Sequence, residues 1–384
     1  PSRAASDAVA DSSVEPFRVA TLQPGLRNRA NPLLPTLYVS NRLLVRGLDD
    51  ATVLDELSSA LAPLGLRIQP HADRDQIIRE VRGAAAKVIA THWVSTVILE
   101  ADDPAVVVDA DAALETLRHS APKLAKRVGL DHVLGPAGGQ FGGIGGQFGG
   151  IGGQFGGIGG QFGGIGGQFG GIGGQFGGIG SPAEFCVPGL GGRMPVHLSL
   201  RNPAEHVPEP IRRPVVAVVD SGLGQHPWFD GDPTVQVGGD FHGAPLGGTN
   251  TDGGDGVMNA MTGAMAPLAG HGTFIAGIIR QGSPTARLLC IPVFSHLGVA
   301  DEGFVHRTLV LLLARHVEAL EFGRSDGLVD VLSLSLGYYH EQSDDPAAAP
   351  ALRNLLMAYG SFGVIVVAGV GNDATDRPFF PAAF

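Results

Sequence analysis

The first third of the chain shows alternating and helical patterns of apolar residues that predict a small mixed module. Apolar positions at Val53, Leu54, Leu57 and Leu61 fall on one face of a helix. The order strand, helix, short helix, strand, helix predicts an α+β module over residues 37–135. The predicted strands are Leu37–Val45 and Trp93–Leu99. One predicted helix begins at Asp50, a shorter one is indicated by Ile77, Ile78 and Val81, and a third starts over Asp111–Leu117.

The second half of the chain, residues 194–384, alternates continuous apolar runs with helical patterns. Runs without polar alternation are typical of strands that are buried on both faces of a parallel sheet. The pattern therefore predicts an α/β fold with helices on the sheet, and ligands are expected at the carboxyl ends of its strands. The predicted strands are 215–219, 287–293, 329–334 and 364–368, and the predicted helices are 273–279, 305–322 and 351–359.

A glycine-rich stretch at residues 136–193 separates these two parts. Within it, residues 138–179 are six copies of Gly-Gly-Gln-Phe-Gly-Gly-Ile. Four glycines per copy exclude a stable helix, so a flexible linker is predicted. The Phe and Ile of each copy fit either a self-association segment or a tandem repeat in a tolerant loop. Residues 1–36 are polar and are predicted to form a disordered N-terminal segment.

Composition and charge exclude several classes of function. The net charge of −11 argues against nucleic-acid binding and against an anionic membrane surface. No apolar run reaches the length of about 18–20 residues that a membrane-spanning helix needs, and no signal-peptide core is visible. Two cysteines, Cys186 and Cys290, do not make a disulfide framework, and Cys290 is expected to be a buried apolar residue.

Three polar residues stand where a parallel sheet would present functional groups. Asp220 directly follows the run 215–219, His271 lies between two glycines at the start of an apolar helix, and Asn372 follows a third apolar run. Taken singly, each also fits a structural role: the aspartate and the asparagine as turn formers and the histidine as a helix cap.

Together the three motifs resemble the subtilase family of serine peptidases. They read VVAVVDSG at Asp220, GHGTFIAGII at His271 and VIVVAGVGN at Asn372. The resemblance covers roughly residues 195–384 and implies a subtilisin-like fold with a triad in the order Asp, His, Ser. It implies that Asp220 orients His271, that His271 is the general base, and that Asn372 donates to the oxyanion.

The same resemblance implies a substrate, an inhibitor and a location. Ser335, Leu336 and Gly337 are similar to the strand with which the family binds polypeptide substrates. The module at 37–135 would be a prodomain that assists folding and inhibits the peptidase. A maturation cut is expected between the linker and about Pro208, so that the repeat leaves with the propeptide. The resemblance further implies a secreted or extracytoplasmic protein.

Neither a cofactor nor a metal ion is expected for this chemistry. The segment Gly247–Gly256 offers Asp252 and Asp255 to a calcium ion, but the full Asp-x-[Asp/Asn] spacing is absent, and a solvated loop is the alternative. No metal-ligand spacing connects the histidines of the N-terminal module, which are His71, His92, His119 and His132.

The family's nucleophile motif, Gly-Thr-Ser-x-Ala-x-Pro, is not found, and the last serine is Ser361. We expect that the chain is a fragment that ends before the nucleophile and is inactive as given. The alternative is a non-catalytic binding protein on the same scaffold, with the Phe/Ile repeat as its adhesive part. A nucleotide-binding α/β protein is excluded, because the third glycine of G-x-G-x-x-G would fall at Pro227 and no Walker lysine is present.

Overall fold

The computed structural model describes residues 18–22, 33–46, 51–70, 80–137, 201–207, 212–253, 268–342, 349–371 and 375–384. The strands are β1 Val19–Leu22, β2 Thr36–Arg46, β3 Leu66–Pro70, β4 Val94–Ala101, β5 Val128–Pro136, β6 Val215–Asp220, β7 Val235–Val237, β8 Asp240–Phe241, β9 Ala244–Pro245, β10 Arg287–Pro292, β11 Ala300–Asp301, β12 Val331–Leu334, β13 Leu336–Gly337 and β14 Ile365–Ala368. The α-helices are α1 Ala51–Leu61, α2 Gly83–His92, α3 Ala110–Ser120, α4 Pro122–Ala125, α5 His271–Gly282, α6 Glu302–Glu321 and α7 Pro350–Ser361. Two short 3₁₀ helices lie at Ala62–Leu64 and Pro203–His206.

The N-terminal part forms an antiparallel sheet with helices packed on it. Within this part the strand order is β5-β2-β4-β3, with β1 paired to β2. Val53, Leu57 and Leu61 of α1 and Leu114 and Leu117 of α3 are buried in the core of this layer, as the 3.6-residue periodicity predicts.

Several predicted elements of this part are confirmed, and others were missed. The strands β2 and β4 and the helices α1 and α3 lie within a few residues of their predicted bounds. The expected order omitted β3, α2 and β5, so the prediction was incomplete. The prediction that residues 1–36 are disordered was wrong for Val19–Leu22, which form β1 and pair with β2. Of the predicted short helix, Ile77 and Ile78 lie outside the described residues, and Val81 precedes α2. The strand β5 was missed because Gly129, Asp131 and Gly135 interrupt its apolar pattern.

The C-terminal part has a parallel sheet with the order β14-β12-β6-β10-β7. Each of the four predicted strands is confirmed, and α5, α6 and α7 lie where helices were predicted. The helix α7 continues to Ser361, two residues beyond the predicted end at Tyr359.

Helices cover both faces of this sheet, and alternate residues of β6 show the two layers. Ala217 and Val219 pack in the core that contains α6 and α7, whereas Val216 and Val218 pack with Ala276 of α5. The continuous apolar run of β6 is explained by this burial on both faces. The structure is therefore mixed α/β with a parallel sheet. Cys290 is buried on β10, as predicted.

The two parts of the chain share a core and a row of backbone pairs. Ala85, Val88 and Ile89 of α2 are buried in the same cluster as α6. The end of β5 pairs with β11 on one side and with β13 on the other. Among the described residues, no helix is long and apolar enough to span a membrane.

Candidate functional site

Asp220 and His271 meet at the carboxyl edge of the parallel sheet. His271 Nδ1 lies 2.6 Å from Asp220 Oδ1, and both side chains are buried. Asp220 is the last residue of β6, and His271 is the first residue of α5. A carboxylate on Nδ1 fixes the tautomer in which Nε2 carries the lone pair, so Nε2 is the nitrogen that can accept a proton.

Ser221 holds the carboxylate of Asp220 in this orientation. Its backbone N–H donates to Asp220 Oδ1 at 2.8 Å, and its hydroxyl donates to the same oxygen at 3.1 Å. The hydroxyl oxygen in turn accepts the N–H of Gly272 at 2.8 Å. The turn after β6 and the first turn of α5 are thus joined by one side chain, which the sequence analysis did not single out.

The glycine after His271 allows the helix to approach this turn. A Cβ atom at Gly272 would lie 2.4 Å from the carbonyl oxygen of Gly222, closer than real Cβ atoms come. Gly270, the N-cap of α5, has a φ of 86°, which favours glycine. The two glycines that flank His271 therefore allow the close approach that brings its ring to Asp220.

Asp252 caps the helix that carries His271. Its Oδ1 accepts the N–H of Gly270 at 2.9 Å, and its Oδ2 accepts the N–H and hydroxyl of Thr273 at 2.9 and 2.7 Å. A carboxylate at a helix N-terminus satisfies N–H groups that lack partners within the helix. Asp252 is buried rather than part of a solvated loop, and Asp255, the second residue considered for calcium, lies outside the described residues.

Two opposing effects set the pKa of His271. Burial lowers the pKa, but the charge of Asp220, its hydrogen bond and the charge of Asp252 outweigh burial and raise the pKa above its ordinary value. An imidazole with a raised pKa and a carboxylate on Nδ1 is suited to take a proton and to hold it as a stabilised cation.

The end of β5 lies between two strands of the C-terminal part. On one side, Leu134 is opposite Ala300 of β11. On the other side, Gly135 and Pro136 are opposite Gly337 and Leu336 of β13.

Backbone pairing continues one residue past β5. The N–H of Ala137 donates to the carbonyl oxygen of Ser335 at 2.8 Å. A Cβ atom at Gly369 would lie 2.5 Å from Cβ of Ala137, so Ala137 fits against a glycine just after β14. The residues Ser335, Leu336 and Gly337 that were predicted to bind an extended peptide therefore contact a strand of the same chain.

Not every predicted site residue can be placed. Asn372 lies outside the described residues, which end at Gly371 on this side. The strand β14 leads toward it along the same sheet edge, beside β12. Neither β11 nor β5 was predicted, because β11 has only two residues and glycines interrupt the apolar pattern of β5.

Comparisons with known proteins add no family assignment. No protein-family model matches the chain, and no curated protein matches it significantly.

Proposed function

We propose that this chain carries the Asp–His part of a subtilisin-like serine endopeptidase. The observation that carries the proposal is the 2.6 Å contact between His271 Nδ1 and Asp220 Oδ1 at the carboxyl edge of a parallel sheet. Asp220 would orient His271, and His271 Nε2 would take the proton of a serine hydroxyl and return it to the leaving amine. The chain order, with the aspartate before the histidine, is that of the subtilase motifs.

A serine nucleophile and an oxyanion donor would complete the catalytic machinery. A serine with the family's motif would lie beyond Phe384, and the 384 residues alone would be inactive. Asn372 would donate its side-chain amide to the oxyanion, because it follows β14 at the same edge of the sheet as Asp220. Removal of one such donor typically lowers the rate about 100- to 1000-fold.

The substrate would bind as an added strand in the cleft between β11 and β13. The strand β5 supports this interpretation, because its end already fills that position with backbone pairs on both sides. Strand addition gives affinity through main-chain hydrogen bonds and leaves the alternate side chains to set specificity. A polypeptide is therefore the substrate class that the cleft fits.

The N-terminal module would be the peptidase's own inhibitor. Ala137 is the last described residue before the glycine repeat, and its N–H donates to the carbonyl oxygen of Ser335 just before β13. The bond cut on maturation would then join Ala137 to Gly138. The expected cut between the linker and about Pro208 stays the alternative prediction, whereas a cut after Ala137 would leave the glycine repeat on the peptidase rather than on the propeptide.

The test compares the 384-residue chain with a chain extended by the sequence that follows Phe384 in its gene. The extended chain should react with a fluorophosphonate serine probe and should yield a new N-terminus at Gly138. His271→Ala in the extended chain should abolish both results, and the 384-residue chain should not be labelled.

Three outcomes would contradict the proposal. They are a stop codon directly after Phe384, a folded extended chain that is neither labelled nor cut, and labelling of the 384-residue chain itself. If the extended chain is labelled but is cut at another bond, the proposed peptidase activity stands and only the cut between Ala137 and Gly138 is rejected.

A further inference from the structure

A second cluster of polar side chains is buried where β5 meets the C-terminal part, away from Asp220 and His271 in the sequence. His132 of β5 lies between two carboxylates. Its Nδ1 is 2.6 Å from Glu302 Oε2, and its Nε2 is 2.9 Å from Glu341 Oε2. All three residues are buried.

The two contacts of His132 require one further proton or a metal ion in the cluster. A neutral imidazole has one N–H donor and one lone pair, whereas both nitrogens here face a carboxylate oxygen. Either a second proton lies between Nε2 and Glu341, or a metal ion takes its place. Burying two carboxylates without such a cation is costly.

His340 supplies a third ligand beside this contact. Its Nδ1 lies 3.3 Å from Glu341 Oε2, and its ring centroid is 4.9 Å from that of His132. One ligand atom from each of His132, His340 and Glu341 falls within 4.8 Å of the other two. Tetrahedral zinc with bonds of about 2.0–2.1 Å holds its ligands about 3.3 Å apart, close to the 2.9 and 3.3 Å that separate Glu341 Oε2 from the nitrogens of His132 and His340.

The surroundings of the cluster match those of a metal-bound histidine. Such a ring donates its other N–H to a carboxylate that is itself hydrogen-bonded. His132 Nδ1 faces Glu302 Oε2, and Glu302 Oε1 accepts the hydroxyl of Tyr338 at 3.1 Å. The two oxygens of Glu341 have different neighbours. Arg118 lies 3.9 Å from Oε1, whereas Oε2 faces the two histidines.

A cavity gives access to the cluster. Its volume is about 620 Å³, and His132, Glu302, His340 and Glu341 are among its lining residues. An ion can enter by this route, and water can complete a four-coordinate shell. The N–H of Gln342 now donates to His340 Nδ1 at 3.0 Å, and metal binding at that nitrogen replaces this hydrogen bond.

We propose that His132, His340 and Glu341 bind one Zn²⁺ ion at the junction between the N-terminal module and the C-terminal part. Two imidazoles and one carboxylate form a nitrogen-rich set that favours zinc over calcium or magnesium, which prefer oxygen ligands. His132 lies on β5, whereas His340 and Glu341 follow β13. The ion would therefore join β5, which fills the cleft, to the C-terminal part. The proposal does not depend on the peptidase activity.

The test is calorimetric titration of the EDTA-treated 384-residue chain with Zn²⁺, alone and as variants. The wild type should bind one ion, and His340→Ala should weaken binding at least about tenfold while the contacts of His132 with the two glutamates remain. Glu302→Gln should weaken binding about 10- to 100-fold, because it removes the carboxylate behind His132. His242→Ala is the matched control, because His242 pairs with Glu318 at 2.7 Å and lies outside the cluster.

Cobalt substitution distinguishes a metal site from an ion pair with an extra proton. Wild type loaded with Co²⁺ should show the visible absorption bands of a tetrahedral ion, and His340→Ala should lose them. The proposal is overturned if the wild type binds no Zn²⁺, or if His340→Ala binds as the wild type does. It is also overturned if nuclear magnetic resonance shows His132 protonated on both nitrogens in the presence of saturating Zn²⁺.

Discussion

The N–H of Ala137 donates to the carbonyl oxygen of Ser335 at 2.8 Å, and this bond ties the residue before the glycine repeat to the carboxyl edge of the parallel sheet. Ser335 follows β12, whose last residue, Leu334, is opposite Val219 next to Asp220. The strand that leaves the N-terminal module therefore ends one strand away from the Asp–His pair. The strength of this attachment can be measured.

Gly369→Ala should loosen the end of β5 from the cleft. The new methyl group would overlap Cβ of Ala137, and overpacking of this kind costs about 1–3 kcal/mol. Amide hydrogen exchange of residues 133–137 should then accelerate about tenfold or more. Gly360→Ala is the control, since a Cβ atom there meets nothing within 4 Å. Equal exchange in the two variants would show that Ala137 does not rest against Gly369.

Asp220→Asn should lower the pKa of His271. The carboxylate charge and its hydrogen bond raise this pKa against the effect of burial, so their loss leaves burial to lower it. Nuclear magnetic resonance titration of the His271 ring should give a midpoint above 6.5 in the wild type and a lower midpoint in the variant. An unchanged midpoint would show that the two side chains are not in contact in solution.

The pair of Asp220 and His271 should make the free energy of unfolding depend on pH. Because folding raises the pKa of His271, the charged pair contributes fully below the unfolded pKa of about 6.5, and its contribution falls as the pH rises through the folded value. The difference in unfolding free energy between the wild type and Asp220→Asn should therefore be larger at pH 5.5 than at pH 9. Urea denaturation at the two pH values measures it, and the reverse order would contradict a raised pKa.

Asp252→Ala should weaken the start of α5. The variant removes the acceptor for the N–H groups of Gly270 and Thr273, and loss of a helix cap costs about 0.5–2 kcal/mol. Thermal denaturation should show this loss. Asp102→Ala is the control, because its ion pair with Arg67 is largely exposed and exposed pairs contribute about 0–1 kcal/mol. A similar small loss in both variants would reject the capping role.

The Asp–His pair was predictable because each motif is local and both lie where a parallel sheet gathers its functional groups. A buried run that ends in Asp220 and a helix that begins at His271 need only neighbouring residues to be recognised. The cluster at His132 had no such signal, because its partners lie far away in the chain and no spacing rule connects them. The role of β5 was equally hidden, since its glycines and Asp131 weaken the strand pattern and only the pairs with β11 and β13 show it.

Gly272→Ala tests whether the close approach of α5 sets the geometry of the candidate site. The added methyl group would lie 2.4 Å from the carbonyl oxygen of Gly222, a backbone atom that cannot rotate away. We expect a loss of about 1–3 kcal/mol in unfolding free energy from overpacking. We also expect a lower pKa of His271, because the displaced helix moves the ring from Asp220. Gly277→Ala in the same helix meets nothing within 4 Å and should stabilise the protein by about 0.5–1 kcal/mol. Chemical denaturation and ring titration of both variants give the result, and a neutral Gly272→Ala with an unchanged His271 midpoint would reject the steric role of this glycine.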